Sequence, residues 1–318
     1  MKRVKLLIQN SKGELSTVIM LVILCIVFGV KSEFFFMPRN IMNIGSYASI
    51  MGTMAAGLTV AMLLGGLDVS QYSLAAMAGM IMGMLIENNV PVPITLAITL
   101  FVGIAGGCLN AFIITIMKVN PIIATMGTQF VFRGAAFLLT DGRYIRIDND
   151  VYYFIGNGKI AGIPFCLIIT IITYGVVWYI LKYTKYGRQV FAVGGNIQVA
   201  KLAGINANKV KFISHIIAGI TAVLGGIITV CQTSSAMPNH GYGNDMDGIA
   251  AVILGGIGLA GGKGKVGGTL IGILVLAVLV NGMTLLNVQS YWQQVVKGLV
   301  LIFAVFIDSL RSGKSNAA

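Results

Sequence analysis

Few residues in this chain are equipped for chemistry. Of 318 residues, ten are Asp or Glu and two are His. Asp68 has the most informative context, in Gly65-Gly66-Leu67-Asp68-Val69-Ser70 between two apolar stretches. It fits a turn residue capping the helix from Ser70 onward. It equally fits a structured break beside a solute path. His215 and His240 are separate, with no Cys or carboxylate at ligand spacing, which speaks against a metal site. Cys25, Cys108, Cys166 and Cys231 each lie in an apolar run without a CxxC pair, as small buried residues do. No Ser/His/Asp set for hydrolysis stands out.

Two glycine-rich stretches mimic nucleotide loops and fail on context. Gly256-Ile257-Gly258-Leu259-Ala260-Gly261 matches GxGxxG, but no βαβ pattern surrounds it and no acid follows at the required distance. Gly262-Lys263-Gly264-Lys265 misplaces the first glycine of a phosphate loop, and no Ser or Thr follows the Lys. The chain therefore offers no ATP site of its own, and no cofactor is expected in it. The remaining polar candidates sit inside apolar runs: Asn110, Thr125, Thr128, Gln129, Gln232, Asn281 and Gln293, with Asn120 ahead of Pro121. Amides in lipid must find partners, so they either bond helix to helix or line a polar-solute path.

The elements that must position these residues are membrane helices. Hydrophobic residues make up 57% of the chain and charged ones 10%, against about 25% charged in ordinary soluble domains. A surface that poor in charge needs lipid around it. The net charge of +12 would raise nucleic acid as a partner. The positive residues lie in short segments between apolar runs, where they fix membrane orientation instead. Ten spans are expected, at 15–35, 41–64, 72–88, 94–117, 121–139, 163–181, 211–232, 247–260, 267–286 and 292–309. The glycine-rich 247–260 span is expected to be broken or re-entrant. The basic start, residues 1–12, followed by an apolar run mimics a secretory signal. No cleavage site follows, so it is expected to be the first helix. With the N-terminus in the cytoplasm, Lys and Arg divide 15 inside to 5 outside. The remaining two, Arg133 and Lys297, fall within spans and are expected to snorkel outward. This split places both termini inside.

The chain reads as one all-α integral membrane domain over 1–318, with glycine-broken segments. An external segment at 140–162 is polar and mixed in charge. A basic cytoplasmic segment at 182–211 is expected to carry a short helix near 197–203, suited to docking a soluble partner. Leu64-Gly65-Gly66-Leu67 and Leu254-Gly255-Gly256-Ile257 hint at an internal repeat, each a glycine break followed by a small-residue helix.

At this point the residues resemble a known family, the ribose-type permease subunits of bacterial ATP-binding-cassette (ABC) monosaccharide importers. The resemblance covers about residues 40–310. It rests on the GG[IL]D[LV]S-like Gly65–Ser70 stretch and on Val119-Asn120-Pro121-Ile122-Ile123-Ala124-Thr125. It also rests on Gly187-Arg188 through Gly194-Gly195-Asn196, Ala200 and Ala203-Gly204-Ile205. Ala251–Gly256, Gly261–Gly264, Gly267–Gly272 and Trp292–Gly298 complete it. One departure stands out: where the family often continues Val-Gly-Ser, this chain has Gln71-Tyr72-Ser73.

The resemblance implies the ABC importer permease fold in a bacterial inner membrane and a monosaccharide cargo. It implies a second permease subunit, identical or related, and an external sugar-binding protein. A cytoplasmic ATPase would use ATP and Mg and dock at Gly187, Arg188, Gly195, Asn196, Ala200 and Gly204. Asp68, Ser70, Asn110, Asn120, Thr125, Thr128, Gln129 and Asn281 are the candidate path residues. A stand-alone secondary carrier of a neutral polar solute is the alternative. Against it stands the scarcity of ionisable groups inside the spans, since coupled carriers place such groups there.

Overall fold

In the computed structural model, which describes residues 12–315, helices dominate. There are thirteen among the described residues: α1 (Lys12–Lys31), α2 (Pro38–Leu63), α3 (Gln71–Glu87), α4 (Val92–Thr115), α5 (Pro121–Leu138), α6 (Asp150–Asn157), α7 (Phe165–Tyr183), α8 (Lys185–Gly195), α9 (Ile197–Leu202), α10 (Ala207–Thr233), α11 (Asp247–Leu254), α12 (Val266–Leu285) and α13 (Ser290–Ser315). Five of them, α2, α4, α7, α10 and α12, are long and apolar enough to cross a membrane. Shorter apolar stretches occupy Leu15–Lys31 and Ser290–Phe306. Charges at residues 2–5, which entered the orientation argument, lie outside the described residues.

Small residues set the packing, because lipid supplies no hydrophobic drive between helices and close backbone approach must replace it. Helix α10 is the central post. Gly219 on it meets Gly103 and Gly107 of α4 so closely that an added Cβ would strike the Gly103 carbonyl. Its Ala218 and Thr221 pack on Gly57 of α2, and its Gly226 lies against Ala75 of α3. A second tight contact joins α11 to α12, where Gly268 faces Gly255 and Gly272 faces Ala251.

The two ends of the bundle differ. At one end the breaks after α2 and α11 meet: the Gly262 N–H donates to the Leu63 carbonyl at 2.8 Å. Gly65 and Gly256 both adopt left-handed φ, +70° and +90°, where a side chain would be strained. The glycines after the second stretch, Gly261 and Gly262, thus pack back on the first break at Leu63 and Gly65. The same end carries α8 and α9. At the opposite end Glu87 pairs with Arg143 at 3.0 Å. There β1 (Ile145–Arg146) pairs antiparallel with β4 (Ser235–Ala236), and β2 (Lys159–Ile160) with β3 (Ile163–Pro164).

Several expected spans shift. The first helix ends at Lys31 rather than 35, because the chain turns through 32–37 before Pro38 opens α2. The 247–260 span is helical only to Leu254, then turns through its glycines. The polar segment at 140–162 contains α6, which the sequence reading did not expect. It holds Tyr152 in the core and seats Gly156 directly on the Cys231–Gln232 backbone of α10.

Substituting Gly219 by Ala should cost about 1–3 kcal/mol by overpacking α4. Gly127→Ala in α5, where an added Cβ meets nothing, should be neutral or gain up to about 1 kcal/mol of helix propensity. Thermal unfolding of the two variants in detergent checks the contrast.

Candidate functional site

Three polar assemblies stand out in the bundle. The first is built on the break after α2. Asp68 is 3% exposed. Its Oδ1 accepts the Ser70 backbone N–H at 3.0 Å and the Ser70 hydroxyl at 2.6 Å. Asn110 of α4 donates to the Ser70 hydroxyl at 2.8 Å, and Thr128 of α5 donates to Asn110 Oδ1 at 2.6 Å. Thr125 closes the ring around the non-helical backbone. Its hydroxyl accepts from the Val69 N–H and lies 3.3 Å from the Leu67 carbonyl. His215 of α10 brings Nδ1 to 3.7 Å from Asp68 Oδ2, beyond hydrogen-bonding distance. That neighbour could not be read from spacing, since 147 residues separate the two positions (215 − 68).

Five of the eight candidate path residues therefore form one buried chain across α3, α4 and α5. The other three lie elsewhere. Asn120 is exposed and caps α5, accepting the Ile122 N–H at 3.0 Å. Gln129 is half-buried one position beyond Thr128. Asn281 of α12 makes a reciprocal amide pair with Asn40 of α2, both bonds at 2.9 Å. Gln232 joins α10 to α2 and α7, donating to the Ser46 carbonyl at 3.1 Å and to Cys166 Sγ at 3.3 Å. For Asn281 and Gln232, the helix-to-helix role is the one observed.

The second assembly fastens the irregular segment between β4 and α11. Arg133 of α5 donates through Nη1 to the Pro238 and His240 carbonyls, both at 2.8 Å. Lys297 of α13 donates to Asn244 Oδ1 at 2.8 Å and to Asp247 Oδ2 at 2.7 Å. Both cations, which the sequence placed within spans, are tied to this segment, Arg133 to backbone carbonyls and Lys297 to Asn244 and the buried Asp247 carboxylate.

Behind this segment opens a cavity between α2, α3 and α10, with an empty space of about 560 Å³ including its mouth. Tyr47, Met54, Tyr72, His240, Asn244 and Asp247 contribute to its wall. None of the eight candidate path residues lines it. The signal that could have found it was Tyr72, the residue at which the motif departs from the family's usual glycine.

The third assembly is the pair α8–α9. Thr184 and Asn196 cap the two helices, accepting from Gly187 N–H at 3.1 Å and from the Gln198 and Val199 N–H groups at 2.9 and 3.1 Å. Gly187 packs on the Ile180 and Leu181 carbonyls, and Gly194 on the Leu63 carbonyl, leaving no room for a Cβ at either. Ala200 is buried beneath α9, and Gly204 closes that helix with a left-handed φ of +76°. Arg188, Gly195, Asn196 and Gly204 are exposed. The Tyr186 hydroxyl donates to the Val210 carbonyl at 3.2 Å, and burial raises its pKa, keeping it a neutral donor. Val199 and Leu202 stand 59% and 90% exposed on α9.

Membrane-length helices, paired glycine breaks and a helical handle at one end define a multi-pass transport permease. The chain matches the family described as branched-chain amino acid transport system / permease component over residues 40–305, and it belongs to that family. It is 37% identical over 300 residues to the ribose import permease protein RbsC of Escherichia coli (strain K12), covering 93% of this chain and 94% of that one. To RbsC of Bacillus subtilis (strain 168) it is 36% identical over 294 residues, 92% and 91% of the two chains. To the L-arabinose transport system permease protein AraH of Escherichia coli (strain K12) it is 31% identical over 309 residues, 95% and 91%. The resemblance to ribose-type permeases drawn from the motifs therefore holds. No solved structure matches the chain.

Replacing Lys297 by Met leaves Asp247 buried without its cation and should cost about 3–5 kcal/mol. Adding Asp247→Asn should recover most of that loss. Unfolding midpoints of the single and double variants in detergent check the sign of the coupling.

Proposed function

We propose that this chain is the membrane-spanning subunit of an ABC importer that carries a monosaccharide, ribose or a similar sugar. An external binding protein delivers the sugar, and a separate ATPase subunit, using ATP and Mg, drives its translocation. Relatives named for ribose import and L-arabinose transport support the class of cargo. The observation that carries the mechanism is α9, a capped helix whose apolar residues Val199 and Leu202 project from one end of the bundle. An isolated membrane carrier has no use for such a tip, whereas a soluble ATPase subunit has a reason to cover it.

In this reading the whole chain is one permease domain. Ten crossings are made by α1, α2, α3, α4, α5, α7, α10, the β4–α11 segment, α12 and α13. The α8–α9 end faces the cytoplasm, as do both termini of this inner-membrane protein, and α6 lies outside. Arg188, exposed beside the handle, steers the ATPase, and Gly187 and Gly194 seat α8 on α7 and on the break after α2. ATPase motion transmitted through Gly194 reaches the Leu63 carbonyl directly, and through the chain that follows it the Asp68 network. That network, with Ser70, Asn110, Thr125 and Thr128, acts as a stiff support beside the path. A second permease subunit completes the outer wall, toward which Asn120 and Gln129 remain candidate path residues.

ATP-dependent uptake of radiolabelled D-ribose and L-arabinose by the full importer in proteoliposomes tests this reading. Arg188→Glu should cut uptake at least about tenfold by reversing the steering charge. Ala200→Pro should do the same by removing the Ala200 N–H bond to the Asn196 carbonyl. Both variants should still insert in the membrane. Normal uptake in both would remove the coupling role of α8–α9, and uptake without ATP would favour a secondary carrier.

A further inference from the structure

The geometry points to the cavity between α2, α3, α10 and the β4–α11 segment as a sugar-contacting site inside a single permease chain, with the Tyr47 and Tyr72 hydroxyls as specificity-determining donors. This deepens the importer reading and rests on it.

Tyr72 is 6% exposed, and its ring packs against Gly241, where an added Cβ would strike it. Both tyrosines line the cavity, and among the described residues neither hydroxyl makes a hydrogen bond to protein. Buried phenols find a partner as a rule. Two tyrosines on the wall of one cavity, one buried and one half-buried, with no protein partner among the described residues, are therefore poised for a ligand. Asp247 also lines the cavity: Lys297 occupies its Oδ2, and among the described residues Oδ1 accepts no hydrogen bond. The Asn244 side chain, on the same wall, accepts from Lys297 through Oδ1.

The chemistry of the wall selects the ligand. Lys297 offsets the charge of Asp247, so the wall favours a neutral solute over a cation. Met54 and the tyrosine rings offer apolar and aromatic surface to the C–H face of a sugar. The phenols, a carboxylate oxygen and an amide then meet its hydroxyls. An apolar pocket with a few convergent polar groups is the usual form of a small-molecule site, and the wall of this cavity has that composition. All of these groups come from one chain, so the site is built without a second permease.

The test uses a double variant, Tyr47→Phe with Tyr72→Phe, which keeps both rings and removes only the hydroxyls. No protein partner is lost, so the unfolding midpoint in detergent and the ATPase rate stimulated by binding protein should match wild type. In proteoliposomes with the full importer, sugar moved per ATP hydrolysed should fall about tenfold for D-ribose, the worth of one to two neutral hydrogen bonds. It should fall less for 2-deoxy-D-ribose if the missing hydroxyl is one the phenols hold. A purely structural role for the tyrosines would lower the midpoint and the ATPase rate together, and that result would overturn the proposal. So would an unchanged ratio of sugar to ATP, with the importer reading left standing. Failure of the wild-type complex to move any pentose would overturn both.

Discussion

A peptide group in lipid cannot go unpaired, and this bundle interrupts its helices at two places where the chain must nevertheless turn. Each break answers for the other. The Gly262 N–H meets the Leu63 carbonyl, and Gly194 presses on that same carbonyl from the handle side. Asp68, Ser70, Asn110, Thr125 and Thr128 then take up the remaining polar groups around the first break. Broken backbone at membrane depth is tolerable only when protein satisfies it in this way. The packing of α8 against the break follows from that constraint, and so does the path by which motion at the handle would enter the membrane.

Polar groups in this protein divide into closed and open sets. The Asp68 network is buried, and its carboxylate, hydroxyls and amide bond to one another. The clamps from Arg133 and Lys297 are likewise committed, one to carbonyls and the other to Asp247 and Asn244. The phenols of Tyr47 and Tyr72 are uncommitted. A transporter needs both kinds: fixed bonds that keep broken helices in register, and free ones that a passing solute can borrow.

Much of the fold was legible in the sequence. Long uncharged runs gave the helices, and glycine pairs after Leu64 and Leu254 marked the breaks. The basic stretch at 182–211 announced the handle. Helix α6 was not legible, because its eight residues sit in a polar segment and owe their place to contact with α10. Helix α8 was missed for a related reason: its two glycines are packing residues against Leu181 and Leu63, although glycine in sequence reads as a breaker. The partners of Arg133 and Lys297 were not legible, since only the fold shows which carbonyls and which carboxylate lie within reach. The pairings Asp68 with His215 and Asn40 with Asn281 are long-range and leave no spacing pattern. The same holds for the cavity, whose tyrosines lie on different helices.

The central claim is that this permease works only with an ATPase seated on α8 and α9. It is tested most directly by isolating the chain from its native membrane in mild detergent and identifying by mass spectrometry what accompanies it. The account predicts an ATP-binding subunit, with or without a second permease. Recovery of this chain alone, together with solute uptake by the purified chain in vesicles free of ATP, would contradict it.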